Sequence, residues 1–151
     1  MKINIITIGT FKNKDSYKDL FDEYKKRFNW TINLIEIKTK TLSNVEEQKK
    51  YEAELLLKHI KNKNNLVVLD ERGKIISTTE FKDICENLTK NNSEIDFIIG
   101  GSDGLDASII SKATFVLSFG KMVYPHLIVR VMLLEQLYRV YTLKNNHPYH
   151  K

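Results

Sequence analysis

The densest group of acid-base and stacking side chains in the sequence is its last stretch, where Asn146, His147, Pro148, Tyr149 and His150 follow one another. A final half-dozen residues is ordinarily frayed, but this string is too rich in functional groups to be set aside on that ground. Its two histidines have neither cysteine nor carboxylate neighbours, so they make a poor metal site and no metal is expected. A second concentration lies in three glycine-containing loops, residues 69–73, 100–104 and 119–124. Plain turn chemistry suffices for any one of them, because glycine supplies positive φ wherever a strand reverses into a helix. Three at one sheet edge make a joint pocket the better reading. The Gly100-Gly101-Ser102-Asp103-Gly104 loop matches neither G-x-G-x-x-G nor the Walker pattern, which disfavours dinucleotide and nucleoside triphosphate sites. Its glycines still let backbone approach a flat ligand closely. A hydrolase is unsupported: there is no G-x-S-x-G elbow, and the single cysteine, Cys85, lies with Ile84 and Leu88 in an amphipathic run where it packs as a small hydrophobe.

The elements that must position these residues alternate along the chain. Residues 2–8 are rich in β-branched side chains and read as a strand ending at Gly9. Tyr17, Leu20, Phe21, Tyr24 and Phe28 recur at helical spacing, which predicts a surface helix over 15–28. A second strand covers 32–37. Ser43 and Glu46 have capping-box spacing and predict a helix running to about Lys61, with Val45, Ala53, Leu56 and Ile60 inward. Residues 65–69 form a continuous apolar run, as expected of a strand covered on both faces. Ser77 and Glu80 repeat the capping box before a third helix carrying Phe81, Ile84, Cys85 and Leu88 inward. A strand at 95–99, a short helix at 105–112 and a strand at 114–119 follow. This repetition argues for one α/β domain over residues 1–151, a mostly parallel sheet with helices on both faces. In such sheets ligands bind outside the carboxyl ends of the strands, where the three loops fall.

The last helix, residues 127–143, is apolar on nearly every side, Leu134 and Tyr138 included, whereas a surface helix shows only a stripe. Two partners must cover it. At 151 residues the chain is long enough to bury roughly 70% of its unfolded surface without disulfide or metal. No apolar stretch approaches the roughly 20 residues of a bilayer span, and the lone cysteine suits a reducing compartment, so a soluble cytoplasmic protein with no membrane partner is expected. Residues 1–111 hold 18 basic and 18 acidic side chains, while 112–151 hold six basic and one acidic, Glu135. The excess either solvates the ends of an apolar helix or meets a polyanion. Its coincidence with the aromatic and histidine residues of the tail favours RNA or another phosphate ligand.

Four segments carry a family resemblance: LDERGK (69–74), FIIGGSDGL (97–105), LSFGKMVYPHLIVRVMLLEQLYR (117–139) and NHPYHK (146–151). The chain resembles the RlmH family, the bacterial ribosomal RNA large-subunit methyltransferases H of the SPOUT class, from end to end, with least likeness over 38–50. The resemblance implies a C-terminal trefoil knot, a homodimer, and S-adenosylmethionine as methyl donor. It implies a pseudouridine in a large-subunit rRNA stem-loop, methylated on N3 in the assembled ribosome. Family positions map the cofactor pocket onto Leu69, Gly100, Phe119, Gly120, Lys121, Met122, Val123 and Tyr124, which lie in the three loops already singled out. The final helix then packs on its own sheet and on the twin subunit.

Methyl transfer from a sulfonium to that nitrogen requires the imide proton to leave, and histidine is the natural acceptor near neutrality. His150 is the first candidate for that role, with Tyr149 stacking on or hydrogen-bonding the base and Arg130 holding a phosphate or the developing anion. His126, just after Pro125, fixes the cofactor loop. The rival reading is a non-catalytic ribosome- or RNA-binding module that uses the basic tail and needs no cofactor.

Overall fold

The computed structural model describes residues 1–12, 15–27, 29–61 and 65–150; Phe28, expected on the inward face of the first helix, lies outside them. Five parallel strands form one sheet in the order β2-β1-β4-β3-β5. In chain order these are β1 (Lys2–Ile8), β2 (Thr31–Ile37), β3 (Leu66–Ile75), β4 (Glu94–Ile99) and β5 (Phe115–Ser118). The helices are α1 (Ser16–Lys25), α2 (Val45–Leu57), α3 (Thr78–Leu88), α4 (Ala107–Ile110) and α5 (His126–Lys144). The period of two along each central strand splits the core. Ile3 and Ile5 of β1 join Phe97, Leu133 and Leu137 on one face, against α1, α3 and α5. Ile6 and Ile8 join Ile98, Leu56 and Ile109 on the other, against α2 and α4. Helices therefore cover both faces, as the alternation of elements requires.

Helix starts follow their caps. Asp15 accepts a hydrogen bond from the Tyr17 amide at 2.9 Å, and Ser77 with Glu80 closes the expected capping box. The second helix departs from expectation: its cap is Asn44, whose side chain accepts from the Glu47 amide at 3.1 Å, one residue beyond Ser43. Val45 consequently sits in the first turn facing solvent, 54% exposed, and the buried face is Gln48, Glu52, Ala53 and Leu56. The helix ends at Leu57, so Ile60 lies beyond it, half-buried.

Strand β3 is longer than its apolar run because pairing with β5 stops and resumes. Leu69 and Lys74 both pair with Leu117, and residues 70–73 bulge out between them. Gly73 is pressed so closely on β5 that a Cβ there would lie 2.7 Å from the Val116 carbonyl oxygen and 2.8 Å from the Leu117 carbonyl carbon. Backbone cannot retreat from such contact as a flexible side chain can.

The two-sided burial expected of the last helix is largely met within the chain. Leu133, Leu134, Leu137 and Val140 are fully buried and Tyr138 is 8% exposed. Leu134 faces the protein's own core between the sheet and the flanking helices, and Tyr138 packs against the rings of Tyr24 in α1 and of Tyr141 and Tyr149. What stays half-exposed is the N-terminal half, including Ile128 and Met132, which line a groove of about 620 Å³ together with Leu20, Ile75, Ile76 and Phe119. Because the Gly73 contact is with backbone, Gly73→Ala is expected to cost about 2 kcal/mol or more, on the scale of core overpacking. Urea denaturation of the two chains measures it, and an unchanged midpoint would show that the bulge can move away from β5.

Candidate functional site

A bulge within β3, where residues 69–73 were expected to be a loop after the strand, joins the carboxyl ends of β4 and β5 and the N-terminus of α5 around one cleft of about 840 Å³. Of the residues expected to form a pocket, Leu69, Gly100, Phe119, Gly120, Met122, Val123 and Tyr124 line it. Lys121 does not: it is exposed on the same loop, outside the lining. Each loop is set by local chemistry. Gly104 adopts φ +80°, and its amide donates to the Gly101 carbonyl at 3.2 Å, closing the 100–104 turn. Gly120 adopts φ +120°, and the Ser118 hydroxyl both accepts from the Gly120 amide (3.1 Å) and donates to its carbonyl (2.9 Å). Both conformations suit glycine and strain any other residue.

The walls combine apolar surface with charge at the rim. Met122 and Val123 are 69% and 82% exposed, large apolar side chains left open at the mouth of a cavity. Asp70, Arg72, Asp103 and Lys49 add charge that the sequence reading did not single out. Burial works against ionisation of Asp70, but the Arg72 guanidinium (2.7 and 2.9 Å) and backbone N–H (3.0 Å) outweigh it and hold the carboxyl below its usual range. His126 also lines the cleft, and its Nε2 would lie 3.4 Å from a Cβ built on Gly9. Burial, and then the neighbouring Arg130, lower its pKa and favour the neutral ring.

The tail lies elsewhere. Rather than fraying, the chain turns at Asn146 (φ 51°), and the His147 amide donates to the Thr142 carbonyl at 2.9 Å. The Tyr149 hydroxyl lies 3.3 Å from that of Tyr24 and donates to Glu135 at 3.2 Å, while its ring sits edge-on to Tyr138 with Arg139 over its face. His150 Nδ1 is 3.4 Å from the Arg139 guanidinium. At 1.5 Å per helical residue, Glu135 and Arg139 lie about 14 and 20 Å along α5 from His126. The structure thus brings the loop residues together but does not bring Tyr149 or His150 to the cleft of their own chain.

Comparison with known proteins decides the family. The family model described as "Predicted SPOUT methyltransferase" matches residues 1–150. A protein of Clostridium botulinum strain Okra named ribosomal RNA large subunit methyltransferase H is 43% identical over an alignment of 160 residues that covers all of both chains. One of the same name from Clostridium acetobutylicum is 40% identical over the same full coverage. The chain belongs to the RlmH family of SPOUT methyltransferases.

A methyltransferase needs a methyl donor, and the cleft fits one of mixed character. An added Cβ at Gly120 or Gly104 would meet nothing within 4 Å, so open space stands directly over bare backbone beside apolar walls. Such a cradle reads a flat heterocycle through amides and carbonyls and grips it with side chains. Nothing in the site supplies a rival chemistry. Burial pushes the Cys85 thiol up to about 12, far from a reactive thiolate. Among the described residues no group of three or more His, Cys, Asp or Glu is placed to hold a metal, and no helix is long and apolar enough to cross a membrane.

In this methyltransferase Arg130 is occupied differently from expectation. Its side chain is fully buried, donating to Glu36 at 3.0 Å and to the Ile8 and Gly9 carbonyls at 2.8 and 3.1 Å, with the guanidinium 4.9 Å from the Phe11 ring centre. The same Glu36 oxygen accepts from the Phe11 amide at 2.6 Å. No face is left for a phosphate or a developing anion; the group pins α5 to the ends of β1 and β2. A strand glutamate and a helix arginine 94 positions apart carry no sequence signal of pairing, which is why the role was missed. Removing one partner of a buried ion pair strands the other, so Arg130→Ala is expected to lose about 3 kcal/mol or more of stability by denaturant unfolding. A loss under about 0.5 kcal/mol would mean that the pin is dispensable.

Proposed function

We propose that residues 1–151 form one SPOUT-type methyltransferase domain that transfers a methyl group from S-adenosylmethionine to N3 of a pseudouridine in a large-subunit rRNA stem-loop, acting on the assembled ribosome in the cytoplasm. The convergence of the β3 bulge and two strand-end loops on one backbone-floored cleft with apolar walls, in a chain of this family, carries the reading. The name shared by its full-length relatives supports the RNA substrate. A C-terminal trefoil knot, which membership of this family supports, belongs to the proposal.

When bound, the donor supplies an electrophilic methyl, so the protein's task is alignment and removal of one proton. Leu69, Gly100, Phe119, Gly120, Met122, Val123 and Tyr124 hold the donor, with His126 supporting the loop from α5, and Lys121 stays free for contact outside the cleft. His150 accepts the imide proton and Tyr149 stacks on the base. Both are anchored too far along α5 to serve their own cleft, so the tail acts on the cleft of a second copy. The apolar groove beside Ile128 and Met132 favours this arrangement, because it shares Leu117, Ser118 and Phe119 with the cleft and would bring a docked partner directly to its edge.

Three experiments test the proposal. Met132→Glu places a charge in the groove and is expected to convert a homodimer into a monomer in sedimentation; a parent chain that is already monomeric at micromolar concentration would remove the dimer from the account. His150→Ala is expected to lower the methylation rate about a hundredfold, the scale of a lost general base, while calorimetric S-adenosylmethionine affinity is unchanged. Mixing His150→Ala with Gly100→Val chains should restore transfer in the mixed dimer. Full activity of His150→Ala would sink the catalytic tail, and a parent that binds no donor would favour an RNA-binding module instead.

A further inference from the structure

Glu52 is a buried carboxyl for which the chemistry above has no use. It lies on the inward face of α2, 5% exposed, one helical turn after Gln48. Gln48 is fully engaged: its Oε1 accepts from the Leu42 amide, and its Nε2 donates to the Lys40 carbonyl, the Thr39 hydroxyl and Glu52 Oε1, the last at 2.7 Å. This ties the connection between β2 and α2 to one oxygen of Glu52. The other oxygen, Oε2, is buried and has no hydrogen-bond partner among the described residues. Native proteins rarely leave such an atom unsatisfied without a reason.

Oε2 lies behind the donor loop. A Cβ built on Gly101 would stand 3.0 Å from Oε2, 3.3 Å from Oε1 and 3.1 Å from Ile8 Cγ2, so the loop rests on the carboxyl and on β1 with no room for a side chain between. Gly101, Ser102, Asp103 and Gly104 line the cleft, whereas Glu52 does not. The carboxyl therefore supports the loop from the side away from the ligand. Burial, only partly offset by hydrogen bonding from Gln48 and Thr39, pushes its pKa up, and nearby Asp103 adds to the shift.

We propose that Glu52 is a positioning residue for the methyl donor: from behind, through its contact with Gly101, it holds the 100–104 loop in the place where that loop lines the cleft. Glu52 touches no reacting atom, and its effect belongs to donor affinity and not to the transfer step. Gln48 fixes its orientation. The inference rests on the reading that the cleft holds S-adenosylmethionine.

The test compares S-adenosylmethionine titrations by calorimetry, with thermal melts, for the parent and for Glu52→Leu and Glu52→Gln. Leucine fills the buried space without an unpaired polar atom but with a branched shape that the Gly101 contact does not match, so Glu52→Leu should melt no lower than the parent yet bind the donor about tenfold more weakly, an effect of about 1.4 kcal/mol. Its KM for the donor should rise while kcat at saturating donor holds. Glutamine keeps the shape and a hydrogen-bonding terminus and should restore affinity to within about threefold of the parent. A Glu52→Leu chain with parental affinity overturns the proposal, as does a Glu52→Gln chain that binds no better than Glu52→Leu. A folded parent that binds no donor overturns the donor-cleft reading, and this inference with it; parental binding with an unaffected Glu52→Leu overturns the role of Glu52 alone.

Discussion

Leu117 is paired twice, with Leu69 before the bulge in β3 and with Lys74 after it, and the functional architecture depends on that constraint. The strand must leave the sheet and return within four residues, which throws Asp70, Glu71 and Arg72 over the sheet edge. It also seats Gly73 on the backbone of β5. One side of the cleft is thereby fixed by strand pairing, the least negotiable interaction in the fold. The next residues of β5 run directly into the Ser118–Gly120 turn, so the third loop is placed by the same contact. Two of the three loops derive their position from a single residue, and the third, after β4, follows because β4 is the neighbour of β3.

Arg130 supplies the second fixed point. A charge with no accessible surface is expensive to bury, and the expense is met by Glu36 and two carbonyls at the carboxyl ends of β1 and its following turn. The result is directional: the N-terminal turns of α5, and with them His126, are held against the sheet edge where the loops converge. A hydrophobic side chain could fill the volume but would allow α5 to slide. A guanidinium that must satisfy three acceptors at once cannot, which is a specificity argument for a buried ion pair rather than a stability argument.

The alternation of strands and helices and the grouping of the glycine-containing segments were legible because each rests on local periodicity or on turn chemistry, whereas the individual residues expected in the pocket came from the family resemblance. The boundaries that failed have local causes as well. Asn44 out-competed Ser43 as cap and turned Val45 outward, and the four-residue α4 was too short for its period to show. Long-range pairings were illegible in principle. Nothing near Arg130 in sequence announces Glu36, and nothing near Glu52 announces Gly101; in both cases the informative partner comes from the opposite end of a crossover. The tail was legible as chemistry but not as place. The turn at Asn146 uses a left-handed residue that is not glycine, and its consequence, the docking of Tyr149 on Tyr24 and Glu135, requires α1 to be already packed on α5.

The charge count illustrates how composition misleads once side chains are placed. The last quarter of the chain carries six basic residues against one acidic, yet Arg130 is buried against Glu36 and Arg139 is committed to Glu135 at 2.7 Å. Of the described basic residues in that quarter, Lys112, Lys121 and Lys144 are the exposed ones. A polyanion approaching this quarter therefore meets scattered cations rather than a stripe, and the binding energy available from phosphate contacts alone is modest, since each neutralised phosphate contributes separately through counterion release. Recognition of a large structured RNA by such a surface has to draw on shape and on groups from a second subunit. Under the homodimer proposed above, two copies would present two sets of exposed lysines on one body, and the groove proposed to join them shares Leu117, Ser118 and Phe119 with the cleft.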